Sequence, residues 1–163
     1  MYRFCSVVKN NHHCFSAVPE NDTHPCYNQT MKTIADITSG KSGVKLIVAG
    51  SRNLNDYEIV RSAIDGLVSQ GMVISAIIDG TARGVDQLAS RYAREHGIEN
   101  IRVPAEWNLY HRGAGVIRNR KMAEMADALL ALWDGKSRGT MNMIKTADSV
   151  GIPVTVVYIA FDN

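Results

Sequence analysis

Short apolar runs alternate with segments of helical periodicity from residue 44 onward, and this alternation narrows the possible folds. The first run, Val44–Ala49, is almost continuously apolar, which is typical of a strand buried on both faces of a parallel sheet. Similar runs occupy residues 73–79, 101–103, 128–133 and 153–159, and helical patterns lie between Asn55 and Gly71 and over residues 85–96, 114–126 and 140–150. Strands that alternate with helices pair in parallel through right-handed crossovers. The sequence therefore predicts an α/β protein, a three-layer Rossmann-like fold with a five-stranded, mainly parallel sheet.

Capping and turn residues predict where these elements begin and end. Asn55 is the expected N-cap of the first helix, because Glu58 three residues later completes a capping box. Gly71 ends that helix. No period persists over residues 105–113, where we expect an ordered loop. The third helix should have Met125 among its apolar positions.

The first 43 residues differ from the rest, because no helical or strand period persists in them. We interpret residues 1–43 as an N-terminal extension and residues 44–163 as a ligand-binding domain, and Met31 is an alternative start site just before that domain. The spacing of the cysteines and histidines in this extension matches none of the paired-ligand patterns of zinc sites, so we predict no metal: Cys5, His12, His13, Cys14, His24 and Cys26. The absence of cysteine from the remaining sequence is typical of a reduced, cytoplasmic protein.

Charge and hydropathy exclude two classes of partner. The formal net charge is only +2, so no extended basic surface is expected and nucleic acid is not the predicted partner. No apolar run approaches the roughly 20 residues that a membrane helix needs. The sequence therefore predicts a small molecule as the partner, bound where basic residues are concentrated in the loops.

Three predicted loops combine glycine with a cation at the carboxyl ends of the first, second and fourth strands. In Rossmann-like sheets, ligands bind at this edge. Glycine allows close approach of the backbone, while arginine, lysine and hydroxyl groups are donors to phosphate. We therefore predict a phosphate-binding site formed by Gly50, Ser51 and Arg52; by Gly80, Thr81, Arg83 and Gly84; and by Gly135, Lys136, Ser137, Arg138, Gly139 and Thr140.

Acidic and helical residues add further candidates at this edge. Asp79, Asp86 and Asp134 could each bind a ribose hydroxyl or a base amine, or could instead cap a helix or pair with an arginine. Arg118 and Asn119 lie in the first half of the third helix, where a cation is unfavourable with the helix dipole unless a negative charge compensates. That charge would come from a bound anion or from a carboxylate of the protein such as Glu124 or Asp127, and we favour contact of Arg118 and Asn119 with the ligand.

Two aromatic residues precede the third helix. Trp107 and Tyr110 would either stack on a base or cover the core. No Gly-x-Gly-x-x-Gly, Walker or Gly-x-Ser-x-Gly motif is present, so the sequence identifies no cofactor beyond a nucleotide-like ligand.

Two segments resemble motifs of one superfamily. Gly80–Ala89 is similar to the Gly-x-Ala-x-Gly-(Ile/Val)-Asp-x-x-Ala motif of DprA/Smf proteins, and Arg118–Thr140 resembles the Arg-Lys-x-x-Met … Ala-Asp … Gly-Gly-x-Gly-Thr motif of LOG phosphoribohydrolases. Both groups belong to the SLOG superfamily of Rossmann-like domains. Three further segments, Ala49–Arg52, Pro104–Trp107 and Trp133–Thr140, make the combination most similar to one branch of this superfamily. This is the YspA-like, cpYpsA-related branch, which is frequent in phages and bacteria. The resemblance spans residues 44–159.

The resemblance implies binding of nucleotides or nucleotide-derived molecules, with NAD-like and ADP-ribose-like compounds as candidates. LOG enzymes hydrolyse the N-glycosidic bond of a nucleotide with an arginine and a glutamate, and the glutamate follows their Gly-Thr pair. Here Gly139 and Thr140 are followed by Met141–Met143, with no glutamate, although Arg118 or Arg120 matches the family arginine.

Three functions follow from this reading. The first is a sensor or sequestering domain for a nucleotide derivative. The second is a nucleotide N-glycosidase whose catalytic residues are unknown, with Arg118 and Asp134 as candidates and Asp79, Asp86 or Glu106 as further acids. The third, ranked below them, is DprA-like binding of single-stranded DNA. A homodimer is also expected, because relatives in the superfamily often pair.

Overall fold

A computed structural model describes residues 42–159 of the chain. Most of the predicted N-terminal extension, including Met31 and the cysteine- and histidine-rich segment, lies outside the described residues, so those interpretations stay predictions. The described part contains, in order, β1 (Val44–Gly50), α1 (Tyr57–Ser69), β2 (Ile74–Asp79), α2 (Val85–Glu95), β3 (Glu99–Arg102), the short α3 (Trp107–Tyr110), a 3-10 turn (His111–Gly113), α4 (Ala114–Met125), β4 (Ala128–Trp133), α5 (Arg138–Val150) and β5 (Val154–Tyr158).

The five strands form one parallel sheet in the order β3-β2-β1-β4-β5. The chain first builds outward from β1 to β3, and then crosses back to place β4 on the other side of β1. The predicted fold class is confirmed. Because the winding reverses between β1 and β4, a crevice opens beyond their carboxyl ends, where ligands bind in sheets of this kind.

Helices cover both faces of the sheet and divide the core in two. On one face α1 and α2 bury Ile64, Leu67 and Tyr92 against the strands. On the other face α4 and α5 contribute Met122 and Met143. Helices therefore cover both faces of the apolar strands and exclude water from them, as the nearly continuous apolar runs predicted.

Four predicted details differ from the structure. Asp56, and not Asn55, is the N-cap of α1, and its Oδ1 accepts the backbone N–H of Glu58 at 2.9 Å. The capping side chain is the carboxylate one residue later, so the capping box predicted with Asn55 is wrong. Met125 is 41% exposed, because α4 turns only its Ala114, Asn119, Met122 and Ala123 side inward.

The other two differences lie around β3. This strand begins at Glu99, two residues before the predicted start, because an edge strand pairs through its backbone and tolerates polar side chains. The predicted loop over residues 105–113 contains the single turn α3 followed by the 3-10 turn. A helix of one turn is too short to show a period in the sequence.

Candidate functional site

A cavity of about 310 Å³ opens beyond the carboxyl ends of β1 and β4, at the switch point of the sheet. Its volume is at the lower end of the range of about 300–1,000 Å³ that small-molecule sites occupy. The lining residues come from β1, from the loops after β1, β2 and β4, and from α2, α4 and α5: Ala49, Gly50, Arg52, Ala82, Asp86, Arg118, Asn119, Met122, Ser137, Gly139, Thr140 and Met143.

The loop after β1 is packed tightly against its neighbours. A Cβ on Gly50 would lie 2.3 Å from the carbonyl oxygen of Leu132, so this position excludes any side chain. Ser51 is buried; its backbone N–H donates to the same carbonyl oxygen, and its hydroxyl donates to the Asp134 carboxylate. Arg52 follows as an exposed side chain at the cavity. Ser51 therefore joins the loops after β1 and β4, and its predicted contact with a ligand stays a prediction.

The loop after β2 directs its backbone N–H groups toward carboxylates of the protein. Asp86 Oδ2 accepts the N–H groups of Gly80 and Ala82 at 3.0 and 3.2 Å, and Asp79 Oδ1 accepts that of Thr81 at 2.8 Å. Thr81 has a φ of +61°, which is unusual for a β-branched residue. Three successive N–H groups therefore already have acceptors within the protein. The prediction that Gly80, Thr81, Arg83 and Gly84 contact a phosphate stays a prediction.

Arg118 connects α4 to that loop. Its Nη1 donates to the carbonyl oxygen of Gly80, its Nε donates to Asn119 Oδ1 at 3.0 Å, and its guanidinium lies where a Cβ on Gly80 would clash. Burial lowers the pKa of Arg118, and the neighbouring Asp86 opposes that shift. Arginine nevertheless remains protonated in proteins, so the cavity wall carries a fixed positive charge.

Asn119 joins the two helices that bound the cavity. It is buried, and its Nδ2 donates to Asn142 Oδ1 at 2.8 Å and to the carbonyl oxygen of Gly139 at 3.4 Å. These bonds hold the first turn of α5 against α4. Asn119 thus lines the cavity while also setting its shape.

Asp86 is the buried carboxylate of the cavity. Burial raises its pKa to about 6, although Arg118 and the two backbone donors act in the opposite direction. The Arg118 Nη1 lies 3.7 Å from Asp86 Oδ2. Within residues 42–159, Asp86 Oδ1 has no hydrogen-bond partner.

The loop after β4 forms a turn around Asp134 before α5 begins. Asp134 Oδ1 accepts the backbone N–H groups of Lys136 and Ser137 at 2.9 and 2.7 Å. Partial burial acts to raise the pKa of Asp134, but these bonds and the Ser51 hydroxyl outweigh it, and the net pKa lies below its usual value. Asp134 therefore organises the turn, and its role as a catalytic or ligand-binding residue stays a prediction.

The N-terminus of α5 faces the cavity. Ser137 is its N-cap and accepts the N–H and the hydroxyl of Thr140 through Oγ. A helix N-terminus leaves backbone N–H groups of the first turn without helical partners and carries a positive dipole end. A Cβ on Gly139 would meet no atom within 4 Å, so the space beside this turn is open.

The predicted site residues divide into two groups. Those that line the cavity are Gly50, Arg52, Asp86, Arg118, Asn119, Ser137, Gly139 and Thr140. Those that surround it without lining it are Ser51, Gly80, Thr81, Arg83, Gly84, Asp134, Gly135, Lys136 and Arg138. Sequence reasoning missed the lining residues Ala49, Ala82, Met122 and Met143, which are apolar and carried no chemical signal.

The remaining acids and aromatics lie outside the cavity lining. Asp79 is fully buried, and its Oδ2 accepts hydrogen bonds from Ser90 and Asn100. Its suggested contact with a ligand stays a prediction. Glu106 pairs with Lys121 on the surface at 3.4 Å. Trp107 and Tyr110 neither cover the core nor line the cavity, because both are exposed on α3.

Comparisons with known proteins agree with this architecture. Residues 44–110 match the model of the family described as the YspA, cpYpsA-related SLOG family. The Gene 61 protein of Mycobacterium phage D29 is 32% identical over 116 residues, which cover 68% of this chain and 93% of that protein.

The solved structure of DNA processing protein A (DprA) from Streptococcus pneumoniae has a TM-score of 0.55 and 19% identity to the chain. The similarity covers 69% of this chain and 49% of DprA, so the chain spans about half the length of that protein. At this identity the likeness concerns the fold alone. None of the helices in the described part combines the length and apolar character needed to cross a membrane.

Proposed function

Because the chain belongs to the YspA, cpYpsA-related SLOG family, we propose that it binds a nucleotide or nucleotide-derived ligand in the cavity at the carboxyl ends of the strands. The ligand is NAD-like, ADP-ribose-like or a nucleoside phosphate, and the domain acts as a sensor or a sequestering protein. The observation that carries the proposal is the cavity at the switch point, with two arginines and a helix N-terminus in its wall.

Phosphate recognition rests on charge and backbone donors. Arg52 is exposed at the cavity and makes no ion pair or hydrogen bond through its side chain to any residue within 42–159. Arg118 carries a second charge, and the first turn of α5 adds backbone N–H groups beside Gly139. Arginine can bind two phosphate oxygens at once. These groups line one open space of about 310 Å³.

A second candidate function is hydrolysis of an N-glycosidic bond. The favouring observation is that Asp86, with its pKa raised to about 6, lies beside Arg118 in the cavity, since a carboxyl group that titrates near neutral pH suits acid–base catalysis. One observation argues against hydrolysis. The hydrolase relatives have a glutamate shortly after their Gly-Thr pair, whereas Met143, shortly after Gly139–Thr140 in this chain, lines the cavity. We therefore rank binding above hydrolysis.

A thermal-shift titration with product analysis tests the proposal. Nucleoside monophosphates, NAD and ADP-ribose should raise the melting temperature without being consumed, because a ligand that binds only the folded state adds RT ln(1 + [L]/Kd) of stability. Release of free base or ribose phosphate, seen by chromatography, would instead support hydrolysis. A single-stranded oligonucleotide in the same titration tests DNA binding.

Two arginine variants make the test specific for the cavity. Arg52→Ala should weaken binding by roughly 10- to 150-fold, since a charge-assisted contact contributes roughly 1.5–3 kcal/mol. Arg83→Ala is the matched control, because Arg83 is also an exposed arginine in a loop of this edge but does not line the cavity. Equal effects of the two substitutions would mean that the ligand does not bind in this cavity.

A further inference from the structure

Three aspartates lie at the carboxyl ends of the strands, and they differ in how many of their acceptor sites are used. Both oxygens of Asp79 accept hydrogen bonds, from Thr81, Ser90 and Asn100. Asp134 receives two backbone N–H groups and the Ser51 hydroxyl. Both side chains lie outside the cavity lining. Their hydrogen bonds hold neighbouring loops and strands together, so a structural role accounts for both carboxylates.

Asp86 differs, because only one of its oxygens is used. Oδ2 accepts both backbone N–H groups from the loop after β2, and Oδ1 has no partner among residues 42–159. The residue is only 4% exposed and lines the cavity. Leaving a buried acceptor without a hydrogen bond is costly. A carboxylate also repels phosphate, so its presence in a cationic cavity calls for a ligand group that donates hydrogen bonds.

Arg118 has a complementary unused atom. Its Nη1 and Nε are engaged by Gly80 and Asn119, while its Nη2 has no partner in the described part of the chain. The guanidinium lies 3.7 Å from the Asp86 carboxylate. This distance joins Nη1 to Oδ2, and the unused Nη2 and Oδ1 belong to the same two neighbouring side chains, which both line the cavity.

From this pair we infer that Asp86 and Arg118 bind the vicinal hydroxyl groups of a ribose, with Asp86 Oδ1 accepting from the diol, so that the cavity selects ribonucleotide-type ligands over deoxyribonucleotide-type ones. The inference rests on the proposed function. A vicinal diol carries donors and acceptors on adjacent atoms and satisfies both unused groups together. Ribose is also adjacent to phosphate in every 5′-nucleotide, as Asp86 is to the phosphate-binding groups of the same cavity.

The test compares ribonucleotides with their deoxy counterparts by calorimetry. The probes are the four nucleoside 5′-monophosphates and their 2′-deoxy and 3′-deoxy forms, with ADP-ribose as a larger ribose ligand. The unmodified protein should bind the ribo form of its preferred nucleotide roughly tenfold or more tightly than either deoxy form. Equal affinities would overturn the inference, whatever any variant does.

Asp86→Asn isolates the contribution of the free oxygen. The amide oxygen can replace Oδ2 as acceptor for Gly80 and Ala82, which fixes the side-chain orientation and puts an NH₂ group where Oδ1 was. The variant should keep its loop and its circular dichroism spectrum, bind the ribo form at least tenfold more weakly, and lose the preference for ribose. Retention of the full preference would show that Asp86 does not bind the diol.

Gly139→Glu separates the inference from the proposed function. The new side chain enters the open space beside α5 and brings a negative charge, so all anionic probes should lose affinity. If ribo and deoxy forms bind equally and Gly139→Glu abolishes both, the cavity binds nucleotides and only the role of Asp86 is wrong. If no probe binds the unmodified protein, the proposed function fails together with the inference.

Discussion

Asp86 makes the stability of the fold depend on pH. Its pKa is raised from 3.8 to about 6, chiefly by burial, while Arg118 from α4 opposes and Asp79 from β2 reinforces the shift. Because the folded-state pKa lies above the unfolded value, the folded protein binds this proton more tightly. The resulting stabilisation is fully present below about pH 4 and is lost as pH rises to about 6.

We expect this loss to appear as a difference between the unmodified protein and Asp86→Asn, which cannot titrate at this position. A shift of about two pKa units corresponds to roughly 3 kcal/mol. Between pH 7 and pH 4, the unmodified protein should therefore gain about 2–3 kcal/mol of unfolding free energy relative to the variant. Urea unfolding of both proteins at several pH values measures the difference, and a difference independent of pH would contradict it.

Residue types were predictable at the site, but their hydrogen-bond partners were not. The sequence indicated that Asp79, Asp86 and Asp134 meet at one edge, because each follows or begins an element there. Which oxygens are already used depends on contacts with Ser90, Asn100 and the loop amides, which are set by the tertiary fold. Only the structure therefore separates the available carboxylate from the two that hold the scaffold.

At the scale of elements, the loops after β1 and β2 pack through glycine. Gly84 has a φ of +77°, and a Cβ there would lie 2.5 Å from the carbonyl oxygen of Ser51. Gly97, after α2, has a similar φ of +65°, but an added Cβ would meet no atom within 4 Å. The two glycines share a positive φ, which L side chains rarely adopt, but Gly84 also has a ψ of −129°, outside the left-handed helical region, and only Gly84 is closely packed.

This pair yields a prediction about loop packing. Gly97→Ala should cost about 1 kcal/mol from the left-handed backbone alone. Gly84→Ala should cost a further 1–3 kcal/mol, approximately, because the loop bearing Arg52 must shift. Chemical unfolding measures the loss of unfolding free energy in each variant. Equal losses would show that the loops after β1 and β2 move apart at no cost to accommodate the new Cβ.

Element type followed from periodicity wherever an element was long and had a buried face. The strands β1, β2 and β4 and the helices α1, α2, α4 and α5 lie where the apolar pattern predicted them. The pattern predicted β3 but placed its start two residues late, because this edge strand begins with polar residues, and it missed α3, a single turn with no buried residue. At the start of β3 and in α3, backbone hydrogen bonds form the element without a buried apolar face, so the sequence carries no periodic signal there.

Over the whole molecule, the sheet order makes β1 central. It pairs with β2 on one side and β4 on the other, and both core clusters of the described residues include its side chains. The division into an extension of residues 1–43 and a ligand-binding domain of residues 44–163 stays a prediction. The expected homodimer stays a prediction; exposed apolar residues on α3 and α4, Trp107, Leu109 and Val116, would suit such a contact.

The central position of β1 predicts that the segment matching the family model does not fold alone. A fragment of residues 44–110 lacks β4, α4 and α5, so Ile47, Ala49 and Ile78 would lose the cover of Met122 and Met143. We expect the fragment to show no cooperative unfolding and to aggregate. Residues 42–159 as a whole should unfold in one transition. A soluble fragment with a sharp melting curve would contradict this.

The placement of β1 also has a consequence during protein synthesis. The N–H of Lys45 is bonded to the carboxylate of Asp127, 82 residues later in the chain. At about 5–20 residues per second, several seconds pass between translation of β1 and translation of the strand that covers its second edge. During that interval the nascent chain presents an apolar strand with an unpaired edge, so its folding yield depends on how quickly the ribosome delivers β4.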